Sequence, residues 1–189
     1  MKQIEKAVEV LKIGGVIAYP TETVYGIGAN IFDENAVRRV FEIKRRQFNK
    51  PLSVAVSNFE MMENLVYLSP ENRKILEKLL PGPVTIILPK KEIVSNLITA
   101  NSEFIGIRFP ENEVAGEIIS KAKFPITATS ANFSGEEDVT EANNIKVGVD
   151  FVVEGECKYK KPSTVIDLVN KKILREGVGI EKVKKLLSF

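Results

Sequence analysis

The chain has 189 residues, 44% of them hydrophobic, enough for one domain of ordinary to large size with a proper core. Its formal net charge is only +2, so any phosphate or nucleic-acid site must be a local patch. With no histidine and one cysteine, Cys157, the sequence excludes Ser-His-Asp triads, Cys-His dyads and zinc sites built on histidine or on several thiolates. Acid–base chemistry is left to carboxylate, lysine, tyrosine, substrate groups or water. An internal disulfide is impossible, which fits a reducing cytoplasm. The chain starts Met1-Lys2-Gln3-Ile4-Glu5 with no signal-peptide pattern, and no apolar run approaches the roughly 20 residues that span a membrane.

In chain order, Ile4, Ala7, Val8 and Leu11 share one helical face, and Gly14-Gly15 stops that helix. Val16 to Tyr19 reads as a buried strand. Pro20 to Asn30 then turns toward a helix capped by Asp33 and carrying Val37, Val40 and Phe41. Leu52 to Val56 is a strand. Ser69-Pro70 opens a helix through Ile75, Leu76, Leu79 and Leu80, which Pro81-Gly82-Pro83 breaks. Strands follow at Val84 to Leu88 and Ile105 to Phe109, then a helix over Glu113 to Ala122 with Val114, Ile118 and Ile119 inward. Ile126 to Thr129 is a short strand, Val149 to Val153, Thr164 to Val169 and Lys172 to Arg175 are further strands, and Ile180 to Leu187 is a last helix. The order predicts an α/β fold, one twisted mixed sheet flanked by helices, with residues 1–189 forming a single domain.

Several segments have the composition of a ligand site. Tyr19-Pro20-Thr21-Glu22-Thr23-Val24-Tyr25-Gly26-Ile27-Gly28-Ala29-Asn30 leaves a strand through hydroxyls and glycines, a common place for α/β proteins to hold ligands. A tight loop whose glycines serve turn geometry would account for it equally. Lys44-Arg45-Arg46-Gln47-Phe48-Asn49-Lys50 places four cations in seven residues. They suit phosphate oxygens, a helix C-terminus that wants positive charge, or an RNA backbone. Ser130-Ala131-Asn132 follows a strand and suits a phosphate, a ribose or an ordinary turn. Arg108 ends an apolar strand and needs a counter-charge, either a ligand carboxylate or an internal Asp or Glu, and Arg175 raises the same question. Ser163-Thr164 begins a strand and either faces a ligand or pairs in the sheet.

Taken together the segments resemble the YrdC-like family, in its threonylcarbamoyl-AMP synthase branch. The match is collinear through Pro20 to Gly26, Lys44-x-Arg46, Lys50-Pro51-Leu52, Leu80-Pro81-Gly82-Pro83-Val84-Thr85, Ile107-Arg108-Phe109-Pro110, Ser130-Ala131-Asn132, Pro162-Ser163-Thr164-Val165 and Leu174-Arg175-Glu176-Gly177. Each motif alone is weak; their order carries the resemblance, from about residue 10 to 180.

The resemblance implies a YrdC-like fold with the ligand site in a positively charged concavity. It implies that L-threonine, bicarbonate or CO2, and ATP yield threonylcarbamoyl-AMP and pyrophosphate for tRNA modification. Partner proteins transfer the group, so this chain need not bind tRNA tightly. By the family's motifs, Lys44 and Arg46 are the catalytic cations. Arg46, Lys50, Ser130, Asn132 and Arg175 bind ATP, and Thr23, Arg108 and Ser163 hold threonine. Mg²⁺ is expected on the triphosphate, held mainly by phosphate oxygens and water, with no metal cage in the protein.

Three departures stand out. Arg45 replaces a frequent glycine, Gln47 a frequent proline, and Ala55 a histidine of some relatives. The chain also ends soon after Arg175, without room for the C-terminal domain of longer relatives. Two other readings of the same fold are an RNA-binding module without the chemistry and a carbamoyl transferase acting on a protein cysteine; the length argues against the second.

Overall fold

The computed structural model describes residues 2–187. Helix α1 (Lys2–Lys12) buries Ile4, Ala7, Val8 and Leu11. The chain turns at Gly14, whose φ of +80° favours glycine. A four-stranded sheet in the order β7-β2-β1-β8 is built from β1 (Ile17–Tyr19), β2 (Gly26–Gly28), β7 (Thr129–Ser130) and β8 (Phe151–Val152). A six-stranded sheet, β10-β9-β4-β5-β3-β6, contains β3 (Ser53–Ala55), β4 (Val84–Pro89), β5 (Phe104–Arg108), β6 (Ile126–Thr127), β9 (Thr164–Asp167) and β10 (Lys172–Arg175). Both mix parallel and antiparallel pairs: β1 runs parallel to β8 and antiparallel to β2, and β4 runs parallel to β9 and antiparallel to β5.

The α/β class and mixed pairing agree with the sequence pattern; the single sheet does not. The predicted strand Ile126–Thr129 is two strands that change sheets at Ala128. Thr127 pairs with Val54 in the larger sheet, and Thr129 pairs with Ile27 in the smaller. Ala128 N–H donates to Ser53 O at 2.8 Å, which pins the crossing point. Periodicity reports that a residue is extended and buried, not which edge it joins.

The Pro20–Asn30 segment also differs from expectation, because Gly26 to Gly28 is a strand rather than part of a turn. Neither glycine lies in the left-handed region. Each is small because the Tyr19 ring lies against it. A Cβ on Gly26 would sit 3.1 Å from Tyr19 Cζ, and one on Gly28 would sit 3.0 Å from both Tyr19 Cε1 and Ile126 Cδ1. Tyr19 itself is fully buried and donates its O–H to Thr127 O at 3.1 Å, which ties the two sheets.

The helices follow their capping signals. In α2 (Glu34–Ile43), Asp33 accepts from Asn35 N and Ala36 N. In α4 (Pro70–Leu79), Ser69 caps and Pro70 stands in the first turn. α6 (Glu113–Ala122) has the predicted bounds and buries Ala115, Ile118, Ile119 and Ala122; Val114 is only partly covered. α7 (Ile180–Leu187) is also as expected, whereas the short α3 (Phe59–Leu65) and α5 (Asn96–Thr99) were not anticipated. None of these helices is long and apolar enough to cross a membrane.

Gly28→Ala should lower stability by about 1–3 kcal/mol, because the added methyl meets an immobile ring. Gly116→Ala, in α6 with nothing within 4 Å of the new Cβ, should instead stabilise by roughly 0.5–1 kcal/mol. Urea unfolding of the two variants checks the contrast; equal effects would refute the packing account of Gly28.

Candidate active site

A cleft of about 250 Å³ opens where the two sheets meet. Its floor is a single cross-strand row of the larger sheet: Arg108 on β5 faces Thr85 on β4, Thr85 faces Val165 on β9, and Val165 faces Arg175 on β10. All four line the cleft, together with Ser163 just before β9. The opposite wall is the 20–26 segment with Tyr19, Thr21, Thr23 and Tyr25, and the rim carries Arg46 and Ser130.

Arg108 finds its counter-charge inside the protein. Its Nη2 donates to Glu22 Oε1 at 2.5 Å and to Thr23 Oγ1 at 3.4 Å, and its Nη1 donates to Gly82 O and Val84 O at 3.2 Å each. Arg108 is 6% exposed and Glu22 1%. The Pro81-Gly82-Pro83 turn is therefore more than a helix breaker, since it supplies a carbonyl acceptor to the guanidinium. Thr21 Oγ1 bonds Thr23 Oγ1 at 2.8 Å and donates to Val24 O at 2.7 Å, so the hydroxyls of this loop are held in fixed positions.

The basic cluster divides into different roles. Helix α2 ends in a Schellman motif: Arg46 N–H donates to Phe41 O at 2.8 Å, Arg45 N–H donates to Glu42 O at 2.9 Å, and Arg45 takes a φ of +51°. That is the position where glycine is favoured; here the Arg45 guanidinium lies 4.4 Å from the Phe133 ring centroid. Lys44, the cap residue, turns inward and is 2% exposed. Its ammonium donates to Ser130 O, to Asn132 O at 2.8 Å and to Asn132 Oδ1 at 3.3 Å, so all three hydrogens are used and the side chain does not line the cleft. Burial and the Arg46 charge push its pKa down from 10.5 to about 8, against the pull of Asp138.

Arg46 does line the cleft, and it donates to Lys50 O at 3.2 Å and Pro51 O at 2.8 Å. Lys50 itself is exposed and outside the lining; its carbonyl, not its ammonium, orders Arg46. Arg175 is held from the other side, donating Nε to Ser163 O at 3.0 Å and Nη2 to Ser163 Oγ at 3.2 Å. Burial lowers the pKa of both arginines, yet a guanidinium starts high enough to stay charged.

Ser130 reaches the cleft and donates to Asn132 Oδ1 at 2.5 Å. The Asn132 Nδ2 donates to Glu136 O at 2.6 Å, so this amide braces its own loop. Asn132 lines a second cavity, about 610 Å³, with Phe133 and Lys146. Asp138, the one carboxylate lining the first cleft among the described residues, borders both. Ala55 is buried opposite Arg108 and does not line the cleft.

The family model described as "Telomere recombination" (Sua5/YciO/YrdC) matches residues 9–177. The chain belongs to the Sua5/YciO/YrdC family. It is 41% identical over 178 residues to a Methanocaldococcus jannaschii protein provisionally named a threonylcarbamoyl-AMP synthase, covering 92% of this chain and 84% of that one. It is 38% identical over 195 residues to the Pyrococcus abyssi threonylcarbamoyl-AMP synthase, covering 98% of this chain but only 57% of the relative. The crystal structure of P. abyssi Sua5 complexed with L-threonine has a TM-score of 0.90 to this fold at 38% identity, over 97% of this chain and 56% of that chain.

For this member of the Sua5/YciO/YrdC family, the fold gathers Thr23, Arg46, Arg108, Ser130, Ser163 and Arg175 on one cleft and leaves Lys44, Lys50 and Asn132 off its lining. Sequence reasoning did not single out Glu22, Thr85 or Asp138. Glu22 carried a signal, as an acid between two threonines in a loop that needs an internal partner for Arg108; Asp138 in its loop carried none.

Because Lys44 has a lower pKa folded (about 8) than its ordinary 10.5, the unfolded chain binds more protons between those values. Its contribution to stability should therefore rise with pH across that window. Lys44→Met should remove that rise when unfolding free energies of the two proteins are compared from pH 7 to 11; an unchanged slope would refute the shifted ammonium.

Proposed function

We propose that this chain is an L-threonylcarbamoyladenylate synthase, a nucleotidyltransferase. The observation that carries the reading is the convergence of Arg46, Arg108 and Arg175 with the hydroxyls of Thr23, Ser130 and Ser163 on one cleft, in a fold whose P. abyssi counterpart was crystallised with L-threonine. Residues 1–189 act in this reading as one YrdC-like domain.

The chemistry starts from threonine and bicarbonate or CO2: the amine nitrogen bonds the carbon and gives N-carboxy-threonine, with water leaving from bicarbonate or the amine proton leaving when CO2 adds. A carboxylate oxygen of that species attacks the α-phosphorus of ATP; the new O–P bond forms as the bond to pyrophosphate breaks. The nucleophile belongs to the substrate, so a chain with no histidine can run the step by positioning and charge neutralisation. Arg46 and Arg175 flank the cleft as fixed cations for the phosphates, Arg46 locked by the Lys50 and Pro51 carbonyls and Arg175 by the Ser163 carbonyl and hydroxyl, rather than by a carboxylate that would cancel the charge. Lys50 adds charge at the outer end. Ser130 contacts the nucleotide, and Asn132 holds that loop beside the second cavity, which gives the nucleoside end room.

Thr23, Arg108 and Ser163 hold threonine. Arg108 keeps Nε–H without a protein acceptor among the described residues, a donor available to the amino-acid carboxylate. Lys44 acts by fastening Ser130 and Asn132 and by adding positive field, not by touching phosphate. Among the described residues no group of three or more Asp, Glu, Cys or His is placed to hold a metal ion. One lining carboxylate, Asp138, suits Mg²⁺ carried chiefly by phosphate oxygens and water, where it would neutralise phosphate charge. The product then passes, in the cytoplasm, to partner proteins that modify tRNA.

Pyrophosphate release from ATP should depend on both L-threonine and bicarbonate, with threonylcarbamoyl-AMP detected by mass; release indifferent to threonine would overturn the reading. Arg46→Ala should reduce kcat/KM by an amount equivalent to about 2–4 kcal/mol, and wild-type turnover would sink the phosphate assignment. Arg108→Ala should raise KM for threonine far more than for ATP in steady-state kinetics, with thermal unfolding as a check on the broken ion pair.

A further inference from the structure

Thr85 lies at the centre of the cleft floor, between Arg108 and Val165 in the cross-strand row, and nothing above gives it a task. It is 5% exposed, and its backbone is committed to sheet pairing with β5 on one side and β9 on the other. Its methyl is on the Gly106 side: Cγ2 is 3.3 Å from where a Gly106 Cβ would stand. Its hydroxyl points the other way, 2.8 Å from Ser163 Oγ, and that is its one hydrogen-bond partner among the described residues.

Either oxygen of this hydroxyl pair can be the donor, and counting protons shows what each choice leaves for the ligand. Two hydroxyls bring two protons, and the bond between them uses one. Arg175 Nη2 already donates to Ser163 Oγ at 3.2 Å, so the guanidinium takes up acceptor capacity and offers none in return. One proton of the pair is left with no acceptor among the described residues, on residues that both line the cleft. With Thr85 donating to Ser163, Ser163 Oγ accepts twice, from Thr85 and from Arg175, and its own O–H is aimed at the ligand. A hydroxyl that otherwise rotates freely between donor and acceptor thereby becomes a fixed donor.

We infer that Thr85 is a positioning residue that sets Ser163 as an obligate hydrogen-bond donor, so that the ligand group meeting Ser163 must be an acceptor oxygen of the amino-acid substrate and not its ammonium. The inference rests on the synthase reading for the identity of that substrate. It makes the floor of the cleft selective by polarity: an oxygen is matched, and an N–H donor there faces a proton and a guanidinium.

The test uses Thr85→Val, which keeps the branched shape that suits a central strand, Thr85→Ser, which keeps the hydroxyl, and Ser163→Ala, alone and combined with Thr85→Val. Threonine-dependent pyrophosphate release gives KM for threonine and for ATP, calorimetry gives direct L-threonine binding, and thermal unfolding monitors the fold. Thr85→Val should raise the threonine KM and dissociation constant about fivefold, the scale of one hydrogen bond, with the ATP KM unchanged. Thr85→Ser should stay close to wild type. In the Ser163→Ala background, Thr85→Val should add nothing further, because its effect runs through Ser163. Wild-type threonine affinity in Thr85→Val, a full additional loss in the double variant, or a parallel rise in both KM values with a lowered melting temperature would each overturn the inference while leaving the synthase reading in place. A wild-type protein that neither binds nor turns over threonine would overturn both.

Discussion

The buried pair between Glu22 and Arg108 is the interaction on which the site depends. Glu22 belongs to the loop that leaves the smaller sheet, and Arg108 ends a strand of the larger one. A guanidinium at that depth is tolerable only with a counter-charge and several acceptors, and the chain supplies both through Glu22, Thr23 and the carbonyls of Gly82 and Val84. Satisfying one arginine therefore fixes three separate segments against each other. The cleft is the space left between them, and its hydroxyl-bearing wall is held at a set distance from its charged floor.

A second regularity concerns how positive charge is presented. Arg46 is anchored by two backbone carbonyls, Arg175 by the carbonyl and hydroxyl of Ser163, and Lys44 is consumed by three loop oxygens. Carbonyl acceptors orient a cation without neutralising it. In the proposed synthase reading this benefits a site that takes phosphate, since fixed cations need no reorganisation when charge develops on a ligand. The absence of histidine from the chain sits comfortably with such a site, where the reacting nucleophile comes from substrate and the protein contributes shape and field.

Much of this was readable in the linear sequence. The caps at Asp33 and Ser69, the helix Glu113–Ala122 and the buried strands follow from local chemistry, because a cap or an apolar period is decided by neighbours within a turn or two. The family was legible from motif order. Arg108 was recognisable as a charge in need of a partner, since an arginine inside an apolar strand announces its own cost. Even the unusual Arg45 was visible as a departure, although its meaning as the left-handed residue of a helix stop needed the backbone angle.

What the sequence by itself determined was thus the element types, the histidine-free chemistry and the set of polar residues available to a site. Tertiary structure decided the rest, because it depends on distance between residues far apart in the chain. Only the folded chain shows that residues 126–130 cross between two sheets, and that Gly26 and Gly28 make way for Tyr19. The same holds for Arg108 choosing Glu22, 86 positions away, and for Lys44 turning from the cleft to tie down a loop 86 and 88 positions on. Composition fixes which groups need partners, and long-range packing fixes which partners they get, since a hydrogen bond acts over a few ångströms and the sequence records only order along the chain.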